Sequence, residues 1–153
     1  MKNKEMINEW FRLSKHDSDT VNYLYKNMPS APVEIVCYHC QQAAEKLLKG
    51  LLTAKEIQFD KKHDLTYLFD LLDYKEKDAT VVFEACARLT PYGVSVRYPG
   101  AKEISKEEMA LAVSDMNKVG SFVRKEILKI QNFEKTNQKN QAQSRDDDFS
   151  PTR

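Results

Sequence analysis

Steps of four and three residues separate the positions fit for burial along most of this chain. From Ile7 through Phe11, Ser14, Ser18, Val21, Tyr25 and Met28 the spacing lines one side of a helix, which ends before Pro29. The same count through Val33, Cys37, Cys40, Ala44, Leu47 and Leu51 gives a second helix, and Val36, Leu48 and Leu52 widen its stripe into a core-facing surface. A helix of about 20 residues with so broad an apolar face belongs to a bundle. After Lys55 the segment EIQFDKKHDL loses helical periodicity, and Asp64 is placed to cap a short third helix carrying Leu65, Leu68, Leu71 and Leu72. A fourth helix begins near Asp78 or Thr80 and buries Val81, Val82, Ala85 and Leu89. It stops at about Tyr92, where Pro91 and Gly93 disfavour continuation, and GVSVRYPGAK follows as a loop.

Ser105 and Glu108 have capping-box spacing and open a long fifth helix marked by Met109, Ala112, Met116, Val119, Val123 and Ile127. Beyond Ile130 almost nothing is available to bury, so residues 131–153 are expected to form a polar, mobile tail behind a single helical domain, 1–130. VVF and VSV are too short and poorly flanked for strands. The pattern predicts an all-α fold: an up-and-down antiparallel bundle of four long helices plus a short one.

Composition supports one core. With 153 residues and 41% hydrophobic content, the chain can close an ordinary domain without metal or disulfide. Lys plus Arg (24) nearly balances Asp plus Glu (23), which removes a global positive field and makes any grip on nucleic acid a local one. The amino terminus, MKNKEMINEWF, lacks an uninterrupted apolar segment, and no run approaches membrane-spanning length. Three cysteines, two of them inside one predicted helix, suit a reducing compartment. A soluble, cytoplasmic protein is expected.

Several polar residues carry candidate chemistry. Helical projection puts Gln41 at the margin of the Leu48 and Leu52 columns beside Glu45, and turns Gln42 further toward solvent. The Gln41 amide then either satisfies a loop backbone or partner helix, or contacts a ligand. Lys46 and Lys49 project away from the seam as solvated charges, able with Lys61, Lys62 and Arg97 to form a phosphate-attracting surface. His63 precedes a helix start and can anchor its loop through the backbone or donate to a phosphate. Arg97, in a loop marked by Gly and Pro, can clamp a phosphate or pair with a protein carboxylate such as Asp17 or Glu45. Ser14 and Ser18 permit close helix approach. Cys37, His39, Cys40 and His63 do not converge as zinc sites require, because the cysteines share the apolar stripe and His39 points away from it. No metal or cofactor is expected. GxGxxG, GxxxxGK[ST] and GxSxG are all missing.

Taken in order, the helix CYHCQQAAEKLLKGLL (37–52), the His63-Asp64-Leu65 corner and Arg97-Tyr98-Pro99-Gly100 resemble the HEPN family (higher eukaryotes and prokaryotes nucleotide-binding), in which a QQAxEKxLK helix precedes an HDL loop and an RYP segment. The resemblance spans roughly residues 5 to 130, one domain by size. It implies a helical bundle that commonly forms two-fold homodimers. Family ribonucleases use an Arg followed after four to six residues by a His, and no Arg here has that partner: Arg12 has His16 after only three intervening residues. The likeness is therefore to a noncatalytic branch, proposed to bind nucleotides or assist substrate binding and often paired with a minimal nucleotidyltransferase. On that transfer Gln41, Gln42, Glu45, Lys49, His63, Asp64, Arg97 and Tyr98 form the ligand-binding set, with Asp17 at a frequently acidic position and no catalytic residue. Two rival readings stand beside this one. In the first, a degenerate, toxin-like ribonuclease brings Arg97 and His63 together. In the second, a structural or antitoxin-like subunit acts only by helix packing.

Overall fold

The computed structural model describes residues 1–94 and 99–147, with side chains through Arg145. The elements are α1 (Lys4–Asn27), α2 (Val33–Ala54), α3 (Leu65–Asp70), α4 (Ala79–Leu89), a 3-10 turn (Thr90–Gly93) and α5 (Lys106–Asp147). No strand is present among the described residues, so the all-α expectation holds.

α2 is the central rod. It packs against α1, α3, α4, α5 and the 3-10 turn, and 12 of its 22 residues are buried, against four of 24 in α1. Two small contacts let α1 lie close along it. Ser14 Oγ donates to the Ala43 carbonyl at 2.9 Å, and Gly50 has no Cβ where one would stand 2.5 Å from the Phe11 ring. Position 11 thus meets 50 while Asp17 meets His39, so the two helices run antiparallel. α4 and α5 also run antiparallel, as shown by Arg88 to Asp115 and Asp78 to Lys125. The Arg88 pair is a fork: Nε and one terminal nitrogen reach the fully buried Asp115 carboxylate at 2.8 and 2.9 Å, with Lys118 at 3.4 Å. Leu48, Leu51 and Leu52 meet Leu65, Leu68, Leu89, Val119 and Val123 in the core. Each fully buried leucine contributes about 1.5–3 kcal/mol.

Helix ends follow the sequence signals closely. Ser105 Oγ accepts from Glu108 N and Glu108 Oε2 from Ser105 N, both at 3.0 Å, which satisfies the capping box reciprocally. α2 closes in a Schellman arrangement, Ile57 N to Leu52 O at 2.9 Å and Glu56 N to Thr53 O at 3.1 Å, with Glu56 in the left-handed region (φ 57°).

Some expectations need correcting. Tyr25 and Met28 are exposed, because the buried side of α1 continues through Val21 to Leu24. Val81 is about half exposed, since α4 turns Val82, Ala85, Cys86 and Leu89 inward. Leu71 and Leu72 lie just past the end of α3, half-buried. The segment expected as a mobile tail is helical through Asp147. Its Glu, Lys, Gln and Ala residues favour helix, and neither Gly nor Pro occurs between Ser121 and Ser150. It is almost wholly exposed, including Phe133.

Candidate functional site

A buried carboxylate organises the polar edge of α2. Glu45 is 5% exposed and receives three donors: Lys49 Nζ on Oε1 at 2.7 Å, Gln41 Nε2 on Oε2 at 2.9 Å, and His63 Nδ1 between both oxygens at 3.0 and 3.1 Å. Burial alone pushes its pKa up, but the hydrogen bonds from Lys49, Gln41 and His63 outweigh that and hold it below the ordinary glutamate value. The i, i+4 order of Glu before Lys suits such a pair. Above it, Trp10 of α1 and Phe59 close over the Lys49 ammonium, 5.7 and 6.0 Å from their ring centres.

Gln41 is fully buried and spans two motifs. Its Nε2 also donates to the His63 main-chain carbonyl at 3.1 Å, and its Oε1 accepts from Gln42 Nε2 at 2.8 Å. Gly93, the last residue of the 3-10 turn, lies against the same amide: a Cβ there would stand 2.8 Å from Gln41 Cδ. The HDL corner is therefore held twice, by its carbonyl on Gln41 and by its imidazole on Glu45. The His63 side chain remains 64% exposed.

Asp64 is spent locally. Its Oδ1 accepts from Thr66 N at 2.9 Å, Thr66 Oγ1 at 2.6 Å and Tyr67 N at 3.4 Å, capping α3 as its position predicts. Thr66 is the main reason its pKa is lowered, with the two main-chain donors and nearby Lys62 adding to the effect.

The structure thus joins Gln41, Gln42, Glu45, Lys49 and His63 and sets Asp64 beside them as a cap; Arg97 and Tyr98 lie outside the described residues. Lys49 is buried, not solvated, because α1 lays Trp10 across it. Lys46 is half-buried and paired with Asp17, whose other oxygen accepts His39 Nδ1 at 2.8 Å. Both carboxylates named as possible partners of Arg97 are therefore occupied within the described residues. Trp10 and Phe59 carry no sequence signal for the site, and Gly93 is legible in the sequence only as a helix stop, since cross-helix contacts alone reveal their part here. The i, i+4 spacing of Glu45 and Lys49 was a legible signal of a pair.

The cysteines serve the core. Cys37, Cys40 and Cys86 are buried and unpaired, and burial pushes the Cys37 and Cys86 thiols to about 12 and Cys40 further up. Among the described residues no three His, Cys, Asp or Glu side chains converge to hold a metal ion. No described helix is long and apolar enough to cross a membrane. Between α1 and α5, floored by Ala43 and Leu47, lies a largely apolar groove of about 580 Å³, lined by Phe11, Ser14, Ser18, Met116, Gly120 and Val123 among others.

A helical bundle with a glutamine- and glutamate-bearing central helix tied to a histidine-aspartate corner defines a class already suggested by its motifs. The chain belongs to the HEPN family: the HEPN domain model matches residues 7–127. Two solved structures share the fold. TT1696 from Thermus thermophilus is 25% identical, with a TM-score of 0.60 over 78% of this chain and 97% of its own. ST0689, an archaeal HEPN homologue, is 20% identical, with a TM-score of 0.60 over 79% of this chain and 97% of its own. No curated protein matches.

Proposed function

We propose that this chain is a noncatalytic HEPN binding module that takes a nucleotide or RNA by its phosphate and works beside a minimal nucleotidyltransferase. The observation that carries this reading is His63: its ring is mostly exposed while Nδ1 is fixed on a buried carboxylate, so Nε2 is the nitrogen left to meet a ligand. Lys61 and Lys62 precede it and are exposed, giving the corner a local positive rim on a chain of nearly balanced charge. Arg97 and Tyr98 enter the proposed site from the family resemblance alone. The absent Arg-x(4–6)-His pair is the ground for a noncatalytic role.

Calorimetry with ATP, GTP, UTP and a short RNA tests the binding. Heat that disappears in His63→Ala supports it, and no heat from any ligand ends it. Cleavage of RNA by wild type above the His63→Ala background would instead favour a degenerate ribonuclease. The proposal includes a two-fold homodimer, for which the apolar α1/α5 groove offers a surface fit for burial; a monomer mass by sedimentation at all concentrations removes that part. The nucleotidyltransferase partner is tested by co-purification with a short nucleotidyltransferase encoded beside the gene. Three unpaired thiols fit a cytoplasmic setting.

A further inference from the structure

Glu45 decides which nitrogen of His63 carries a proton. Its donors hold the carboxylate below the ordinary glutamate value, so at neutral pH it is ionised and can only accept. His63 Nδ1 stands 3.0 and 3.1 Å from the two oxygens and must therefore bear the hydrogen. The residue is held a second time through its main-chain carbonyl, which accepts from Gln41 Nε2 at 3.1 Å. A neutral His63 is thus the Nδ1–H tautomer, with a bare lone pair on Nε2. That nitrogen has no partner among the described residues, and the side chain is largely exposed. The charged groups beside the ring are Glu45 and Lys49 of α2 and Lys61, Lys62 and Asp64 of its own segment, while the 3-10 turn, TPYG, brings no charged side chain. Lys49 and Asp64 are already committed, to Glu45 and to the α3 cap.

We propose that Glu45 is a positioning residue that makes phosphate binding at this corner take up one proton, an inference that rests on the phosphate-binding reading above. An ionised phosphate oxygen only accepts, and so does a bare Nε2, so the neutral corner offers the ligand no hydrogen bond. A proton from solvent, added at Nε2, turns the ring into an imidazolium whose two N–H groups point at Glu45 and at the ligand at once. Both hydrogen bonds are then charge-assisted. Glu45 never touches the ligand: it fixes the tautomer and orientation of the ring and balances the added charge.

The test is the ring-nitrogen NMR spectrum of His63 at about pH 8, where an ordinary histidine is neutral, in the free protein and with saturating ATP or a short RNA. The His63→Gln spectrum identifies its signals among those of the three histidines. Free wild type is expected to show a protonated Nδ1 and a bare Nε2, and the complex to show both nitrogens protonated. Wild-type affinity should fall by up to about tenfold per pH unit above the titration of the ring. Glu45→Gln, whose amide donates as well as accepts, should show both neutral tautomers and a shallower fall, because a neutral Nε2–H can already donate. The wild-type spectra decide even where Glu45→Gln is too unstable to study. An Nε2–H ring in free wild type, or a ring that stays neutral in the complex, overturns the inference and leaves phosphate binding standing. Failure to bind either ligand overturns the phosphate reading and this inference with it.

Discussion

Gly93 lies so close to Gln41 that a single added carbon would stand 2.8 Å from the amide carbon, although Gly93 itself has no positive φ. Space, not conformation, requires glycine there. Gln41 cannot retreat, because its amide is bound to Glu45, His63 and Gln42 at once. The 3-10 turn and the HDL corner are therefore registered against the same side chain.

Gly93→Ala should accordingly cost about 1–3 kcal/mol, the usual penalty for overpacking a site that cannot relax. Urea unfolding measures it, and a change below about 0.5 kcal/mol would show that Gln41 has somewhere to move.

Glu45→Ala leaves the Lys49 ammonium buried beneath Trp10 and Phe59 without its counter-charge. A loss of about 3–5 kcal/mol is expected, read by denaturant unfolding of wild type and variant at neutral pH.

Acid sensitivity should follow the same residue. The folded-state pKa of Glu45 is lowered, so its contribution is present above the ordinary value of 4.5 and is lost as pH falls through the folded value. Stability of Glu45→Gln, measured from pH 7 to 3, should fall less steeply than wild type in the acid range; parallel curves would count against a stabilising ionised Glu45.

Asp64→Ala removes the α3 cap and should cost about 1 kcal/mol. Asp64→Asn and Asp64→Ser retain an acceptor and should recover most of it, which thermal unfolding can rank. If all three are equally unstable, capping is not what Asp64 supplies.

Glu56 holds the left-handed position after α2 that glycine adopts without strain. Its ion pair with Lys2 is exposed and weak (3.4 Å). Glu56→Gly should therefore gain about 0.5–1 kcal/mol and raise Tm by about 1–4 °C for a domain of this size.

Much of the fold could be read along the chain because helix signals are local. The capping pair Ser105 and Glu108, the cap at Asp64 and the stop before Pro29 each depend on residues within one turn. After Ile130 the helix continues through Asp147 for a related reason. Lack of anything to bury argues against packing, but an existing helix needs no new nucleus to continue through residues that favour it. The candidate site was legible in part. The Gln41 to Glu45 to Lys49 column is a helix spacing, and of the two roles open to the Gln41 amide the loop-backbone one finds its acceptor in the His63 carbonyl.

What the sequence by itself determined was which segments become helices, which faces are apolar and which side chains share the polar edge of α2, since these follow from periodicity and capping over a few residues. Tertiary structure alone decided that Lys49 is buried, that Lys46 and His39 share Asp17, and that Gly93 abuts Gln41. Those facts depend on how Trp10, Asp17 and the 3-10 turn approach α2 from distant parts of the chain, and burial converts charges that would be solvated on a lone helix into partners that must be satisfied.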